Sequence, residues 1–143
     1  MTRCVLDASV AAKWFLPASG ETLTEEALRL LEGYVKGDTR FLVPDLFWPE
    51  FGNILWKAVR LGRISRESAE DALAALEARK IPTSPASPLL RNAFAIAAAI
   101  DRTVYDCMYV ALSVASDATL VTTNERLVNA LAARFSVLWL GSL

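Results

Sequence analysis

Short apolar runs alternate along this chain with longer segments in which apolar residues recur every three or four positions. The short runs predict buried strands, and the helical recurrence predicts amphipathic helices. Strands are predicted at residues 4–6, 40–43, 118–123 and 136–140. Helices are predicted at residues 10–16, 23–36, about 45–61, 65–76, 89–100, 105–115 and about 125–133. This alternation predicts an α/β fold with a mostly parallel sheet covered on both faces.

Local signals place several helix ends and one loop. Segment 22–25 (TLTE) has the spacing of a capping box, Gly37 offers a C-terminal stop, and Ser65 is a suitable N-cap. The Pro- and Ser-rich segment 81–88 has the composition of a domain linker, but the parts on either side of it are each too small to fold well alone. We therefore predict a loop there and a single domain over residues 1–143.

Composition narrows the class of protein. Hydrophobic residues make up 54% of the chain, yet no run approaches the roughly 18–20 apolar residues of a membrane span, which predicts a soluble cytoplasmic protein. Cys4 and Cys107 fit neither a disulfide framework nor a zinc spacing, and we expect both to be buried. With 15 Lys and Arg against 16 Asp and Glu, no overall positive charge attracts nucleic acid.

The chain contains no histidine. This absence excludes Ser-His-Asp and Cys-His catalysis, ribonuclease chemistry that uses paired histidines, and the usual zinc hydrolase sites. If the protein is an enzyme, carboxylates are its expected chemical groups.

Three carboxylates lie at strand-to-helix junctions or in first helical turns, each within apolar surroundings. Asp7 follows the first strand, Glu50 lies among large apolar residues, and Asp106 interrupts an otherwise buried helix. Because the carboxyl ends of parallel strands share one edge of a sheet, we expect these acids to converge there. Converging carboxylates repel one another unless cations compensate them, and oxygen ligands without His or Cys favour Mg²⁺, with Mn²⁺ as a substitute.

Such a site activates a metal-bound water and stabilises charge on a phosphate, which favours phosphodiester hydrolysis. A structural alternative stays open for each acid. Asp7 also suits a helix cap, and Glu50 also suits an ion pair with Lys57 or a surface position near the positive end of the helix dipole. Asp106 is equally compatible with an ordinary acid in a first helical turn.

Four motifs, taken together, are similar to those of one known family. They are VLDASV at residues 5–10, VPDLFWPEFGNIL at 43–55, VYDCMYVAL at 104–112 and LVTTNERL at 120–127. No single motif is specific, but the four motifs together extend over nearly the whole chain. In their order and spacing the chain resembles PIN-domain ribonucleases, and within them the VapC-type toxins of bacterial toxin–antitoxin pairs.

The resemblance implies an α/β/α sandwich and a Mg²⁺-dependent endoribonuclease site carried by Asp7, Glu50 and Asp106. It also implies an RNA substrate, an antitoxin that binds near the site, and a homodimer. The residues alone predict the parallel sheet, the metal and the three acids. The toxin role and the choice of RNA come only from the resemblance.

Asn124 departs from the family pattern, because many relatives carry a fourth acid at this position. An amide oxygen can ligate Mg²⁺ but adds no charge, so we expect a weaker second metal site. Glu125 is a candidate for the missing charge, and Ser9 and Thr122 are candidates to hydrogen-bond a ligating acid or water. The alternative is structural, since Asn is a preferred cap and Thr122 begins a segment with capping-box spacing.

Two groups of residues are candidates for contact with partners. Basic residues available for RNA, none of them favoured over the others, are Lys13, Arg60, Arg63, Arg66, Arg102 and Arg126. Aromatic residues that suit either the core or a groove for an antitoxin helix or a second copy are Trp14, Phe15, Phe47, Trp48 and Trp56.

Two other functions are compatible with an acidic site of this kind. A receiver-like domain would hold Mg²⁺ for phosphoryl transfer, but it needs a lysine after a late strand, and residues 120–143 contain none. A catalytically weak or inactive PIN-like module would act only through its partner, and Asn124 is the feature that supports this alternative.

Overall fold

Residues 2–143, which the computed structural model describes, form a five-stranded parallel sheet and seven α-helices. Met1, the first residue of the predicted domain, lies outside the described residues. The strands are β1 (Thr2–Leu6), β2 (Thr39–Pro44), β3 (Thr83–Ser84), β4 (Thr119–Thr122) and β5 (Val137–Trp139). The helices are α1 (Ala8–Ala12), α2 (Thr24–Lys36), α3 (Phe47–Arg60), α4 (Arg66–Ala78), α5 (Leu90–Ile100), α6 (Val104–Ser116) and α7 (Glu125–Leu131).

The strand order β3-β2-β1-β4-β5 places β1 at the centre of the sheet. Cys4 of β1 pairs with Phe41 of β2 on one side and with Thr119 of β4 on the other. After β1 the chain adds β2 and β3 on one side of it, and later β4 and β5 on the other side. The border between β1 and β4 is therefore a topological switch point. The parallel sheet and its helices agree with an α/β/α sandwich, so the predicted fold class is confirmed.

Burial explains why the central strands read as continuous apolar runs. Cys4, Val5 and Leu6 are at most 1% exposed, because a parallel sheet covered by helices buries both faces of each central strand. Phe47 and Phe51 of α3 are also fully buried. The predicted burial of both cysteines is confirmed, and both are free thiols.

Three local predictions were wrong, one of them the extent of α1, which was predicted at residues 10–16 and spans Ala8–Ala12. Segment 22–25 forms no capping box, because α2 begins only after Leu23, whose φ of 59° is left-handed and whose side chain makes no capping hydrogen bond. Segment 81–88 is not entirely loop, since β3 lies within it and pairs with the end of β2. A strand of two residues leaves no periodic pattern that the sequence could reveal.

The other two helix signals are confirmed. Gly37 follows α2 with a φ of 85°, a conformation that glycine adopts without steric strain. Ser65 Oγ accepts a hydrogen bond from the Ser68 amide at 3.0 Å and so caps α4.

The aromatic candidates for a partner groove divide between the core and the surface. Phe47 is fully buried and therefore belongs to the core. Trp56 is 54% exposed, with the Arg60 guanidinium 5.1 Å from its ring centroid. The remaining three pack partly buried against the core: Trp14, Phe15 and Trp48. In the part of the chain described, no helix is long and apolar enough to cross a membrane.

Candidate functional site

The three predicted acids lie on different elements. Asp7 lies between β1 and α1, Glu50 lies in the first turn of α3, and Asp106 lies in the first turn of α6. Asn124 lies between β4 and α7, beside the switch point. The fold thus places these side chains at the end of the sheet where open α/β proteins bind ligands.

Asp7 caps α1 and also makes a long-range contact. Its Oδ1 accepts a hydrogen bond from the Ser9 amide at 3.3 Å, so the helix begins at Ala8 rather than at residue 10 as predicted. Its Oδ2 accepts a hydrogen bond from the Thr122 hydroxyl at 2.6 Å. The capping role is therefore real, but it engages only one of the two carboxylate oxygens.

The pKa of Asp7 is raised above its ordinary value. Burial is the main cause, because it disfavours the charged form. The hydrogen bonds from Thr122 and Ser9 lower the pKa in part, and the negative charge of Asp106 raises it further. A partly buried acid whose pKa is raised by a second acid is expected where carboxylates converge.

Glu50 has a partner that the sequence did not indicate. Its Oε1 accepts a hydrogen bond from the hydroxyl of Tyr109, a buried residue of α6, at 2.5 Å. Among residues 2–143 Glu50 makes no ion pair, so the alternative of a Lys57 partner was wrong. Tyr109 lies one turn beyond Asp106 on the same face of α6, and this spacing is the only sequence signal for its role.

The pKa of Glu50 is also raised. Burial is again the largest cause, the Tyr109 hydrogen bond opposes it, and the charges of Asp7 and Asp106 add to the rise. The pKa of the Tyr109 hydroxyl is raised by burial, by the nearby charge of Asp7 and by its hydrogen bond to Glu50. The hydroxyl therefore stays protonated and acts as a donor to Glu50.

Asp106 completes the set of interacting acids. Its backbone amide donates to Thr103 Oγ1 at 3.1 Å, so Thr103 caps α6 and leaves the Asp106 carboxylate out of the cap. Its charge acts on both Asp7 and Glu50. Asp7 and Glu50 therefore lie close enough to Asp106 for its charge to raise the pKa of each.

The auxiliary candidates have distinct positions. Thr122 is fully buried, and besides donating to Asp7 its hydroxyl accepts a hydrogen bond from the Asn124 amide at 3.1 Å. Asn124 Oδ1 accepts from the Leu127 amide at 3.1 Å, so Asn124 itself caps α7 and the capping-box alternative that began at Thr122 was wrong. Glu125 is exposed in the first turn of α7.

Ser9 has an unused hydroxyl. Its Oγ is buried and has no hydrogen-bond partner of good geometry among residues 2–143, although it lies near enough to lower the pKa of Asp7. A buried polar atom without a partner normally costs free energy, and a ligand that completes its hydrogen bonds removes that cost.

The acids fit a divalent cation in chemistry but not in their present arrangement. Within residues 2–143 the ion pairs are Lys13–Glu21, Arg63–Glu21 and Arg66–Glu70, so no basic side chain neutralises the three acids. In the same residues, however, no group of three or more Cys, Asp or Glu side chains is placed so that it could hold a metal ion. Binding of one cation by all three acids therefore requires their side chains to move.

A parallel sheet with interacting carboxylates at its switch point defines a class of α/β protein with an acidic site at the strand ends. A sequence model of the PIN domain matches residues 4–132, and the chain belongs to this family. The resemblance predicted from the four motifs is thereby confirmed, and it replaces the receiver-like alternative. A search of curated proteins found no match.

Solved structures share the fold. PAE2754 from Pyrobaculum aerophilum is 21% identical, with a TM-score of 0.71 over 99% of this chain and 85% of that one. A toxin–antitoxin complex from Klebsiella pneumoniae is 16% identical, with a TM-score of 0.62 over 94% of this chain and 95% of that one. VapC20, a sarcin-ricin loop cleaving toxin from Mycobacterium tuberculosis, is 15% identical, with a TM-score of 0.66 over 92% of this chain and 95% of that one.

Proposed function

We propose that the protein is a Mg²⁺-dependent endoribonuclease and the toxin of a VapBC-type toxin–antitoxin pair. Asp7, Glu50 and Asp106 are its metal-binding carboxylates, with Mn²⁺ as a substitute metal. The observation that carries this proposal is that the charge of Asp106 acts on both Asp7 and Glu50, while none of the three acids has a basic partner among residues 2–143. PIN domains generally use divalent metal ions, which supports this use of the acids.

When bound, Mg²⁺ supplies Lewis-acid chemistry, the activation of water and the stabilisation of charge on a phosphate. The chain's own groups orient the acids that would hold it. Thr122 fixes one oxygen of Asp7, and Tyr109 fixes one oxygen of Glu50. Ser9 Oγ is available to hydrogen-bond water or a phosphate oxygen beside Asp7.

The proposed partners are an RNA substrate, a cognate antitoxin and a second copy of the chain, in the cytoplasm. The sarcin-ricin loop cleaving toxin and the toxin–antitoxin complex with the same fold support the first two. Exposed apolar side chains on α5 and α6 support a protein partner, because Leu90, Phe94 and Tyr105 are each more than half exposed. We propose one PIN domain over residues 1–143.

A second candidate function is a PIN-like module that acts only through its partner. One observation in favour of this module is that the acids of residues 2–143 are not placed so that they could hold a metal ion. Another is that the amide oxygen of Asn124 is engaged as a helix cap. The two functions differ in whether the purified protein cleaves RNA.

Cleavage of a structured RNA by the purified, antitoxin-free protein in Mg²⁺ tests the proposal. We expect Asp7→Asn to reduce the cleavage rate by at least about 100-fold, as the loss of an electrostatic group from an active site does. Asp71→Asn, which removes the same charge from an exposed position on α4, is the matched control and should cleave normally.

The stability of the Asp7→Asn variant shows whether its loss of activity arises from unfolding. Because the pKa of Asp7 is raised in the folded protein, its contribution to stability is present below the ordinary value of 3.8 and is lost as the pH rises through the folded pKa. At neutral pH in EDTA, Asp7→Asn should therefore melt at the same temperature as the original protein or higher. Cleavage that persists unchanged in Asp7→Asn contradicts the assignment, and no cleavage by the original protein supports the partner-only module.

A further inference from the structure

A pocket of about 320 Å³ adjoins the acids without including them. Ser9 and Thr123 line it, and both are connected to Asp7, Ser9 by its own hydrogen bond and Thr123 only through its neighbour Thr122. The Ser9 amide donates to the Asp7 carboxylate, and Thr123 follows Thr122, whose hydroxyl does the same. We propose that this pocket binds a backbone phosphate of the RNA next to the bond that is cleaved, an inference that rests on the proposed ribonuclease function.

The pocket is positive although the chain as a whole is not. Its lining contains Lys13 at the end of α1, Lys57 on α3, Arg63 after α3, and the single carboxylate of Glu21. The lining therefore carries two net positive charges, in a chain whose formal net charge is −1. Nucleic acid binding to a protein without an overall positive charge depends on such local sites.

The cationic groups keep donors available for a phosphate. Glu21 Oε1 accepts from Lys13 Nζ at 3.0 Å, and Glu21 Oε2 accepts from Arg63 Nη2 at 2.9 Å. An ammonium has three N–H donors and a guanidinium has five, so most remain after these two bonds. Among residues 2–143 Lys57 makes no ion pair at all, and its side chain is exposed at the pocket.

The loop before α2 holds the guanidinium in place. A Cβ added at Gly20 would lie 2.5 Å from Arg63 Nη2, so the guanidinium packs directly against the loop backbone where a larger residue would push it aside. The Lys13 and Glu21 side chains are 10% and 14% exposed. Partly buried, fixed cations bind a phosphate with less loss of side-chain entropy than mobile surface lysines do.

A purely structural ion-pair cluster is the competing explanation. It accounts for Lys13, Glu21 and Arg63, but it gives no role to Lys57 and no reason for the cluster to lie beside Asp7. The two explanations predict opposite results for Glu21. If the cluster is only structural, removal of the Glu21 carboxylate lowers the free energy of unfolding and leaves RNA binding unchanged or weaker. If the pocket binds phosphate, removal of this carboxylate strengthens RNA binding.

The first test measures binding without cleavage. The anisotropy of a short, fluorescein-labelled, single-stranded RNA of mixed sequence is followed in EDTA as a function of salt concentration. We expect Lys57→Gln and Arg63→Gln each to weaken binding and to reduce the slope of log K against log salt by at most about 0.7, the value for complete loss of one phosphate contact with a single strand. Lys36→Gln and Arg40→Gln remove the same charges from exposed positions outside the pocket and are the matched controls.

The second test is Glu21→Gln in the same assay, where we expect tighter binding than the original protein shows at low salt. Weaker or unchanged binding by Glu21→Gln, or pocket variants that lose no more than their controls, would overturn the proposal. So would an original protein that does not bind the RNA.

These outcomes are separable from those of the ribonuclease test. Binding through the pocket without cleavage in Mg²⁺ supports the phosphate site and contradicts the nuclease. Cleavage together with pocket variants that bind like their controls supports the nuclease and contradicts the phosphate site.

Discussion

At the scale of single residues, the site depends on contacts between segments that are far apart in the sequence. Thr122 donates to Asp7 across 115 positions, and Tyr109 donates to Glu50 across 59. The acids themselves could be predicted from the sequence, because a carboxylate within an apolar segment is unusual wherever it occurs. Thr122 could also be predicted as a donor to a ligating acid, and its bond to Asp7 confirms this. Tyr109 could not, because a tyrosine is an ordinary residue in a buried helix.

Tyr109→Phe tests whether the hydroxyl positions Glu50. If Glu50 binds Mg²⁺, loss of its orienting donor should weaken the apparent affinity for Mg²⁺ by about 10- to 100-fold, as loss of such outer partners does elsewhere. The measurement is the cleavage rate as a function of Mg²⁺ concentration. Tyr105→Phe, on the same helix but 65% exposed, is the matched control. An identical Mg²⁺ dependence in the two variants would show that Tyr109 only packs the core.

At the scale of elements, the sequence predicted the strands and helices that burial determines, together with the helix ends at Gly37 and Ser65, but missed two features of local geometry. The central strands β1, β2 and β4 are identified as apolar runs because both faces of the sheet are covered. The edge strand β3 was missed because two residues leave no pattern. The start of α2 was wrong because the left-handed backbone at Leu23, rather than a polar side chain, precedes the helix.

Asn124 acts at this scale, because it caps α7 beside the acids. Asn124→Ala removes the bond from its Oδ1 to the Leu127 amide and should lower the free energy of unfolding by about 1 kcal/mol. Asn124→Asp keeps an equivalent cap and should leave that free energy nearly unchanged, while adding a fourth acid at the sheet edge. Urea unfolding in EDTA checks both variants.

The two variants also separate the cap from a role in metal binding. If Asn124 lies near the metal, Asn124→Asp should bind Mg²⁺ more tightly than the original protein, because it adds a charge to the oxygen ligands. Equal stability losses in the alanine and aspartate variants would contradict the capping role.

At the scale of the whole molecule, Glu21 connects three separate segments. It lies before α2 and binds Lys13 at the end of α1 and Arg63 in the connection between α3 and α4. Burial alone would raise the pKa of Glu21, but the hydrogen bonds and charges of Lys13 and Arg63 outweigh it, so the pKa is lowered. A carboxylate with a lowered pKa stabilises the folded state when it is ionised.

Glu21→Gln should therefore destabilise the protein in a pH-dependent way. The ion pairs contribute fully above the ordinary Glu value of 4.5, and their contribution is lost as the pH falls through the lowered pKa of the folded state. Near neutral pH we expect a loss of about 1 kcal/mol in the free energy of unfolding, at the upper end for incompletely buried pairs, and a smaller loss in acid. Urea unfolding at a series of pH values measures it.

Glu70→Gln provides the comparison, because it breaks the exposed Arg66–Glu70 pair and should cost only a few tenths of a kcal/mol. A Glu21→Gln loss that is the same in acid as at neutral pH would mean that packing, and not charge, connects the segments. If the phosphate pocket also exists, the same substitution lowers stability and raises RNA affinity together. The Glu21 carboxylate then competes with the phosphate for the same cations, and opposite changes in stability and RNA affinity would follow from that competition.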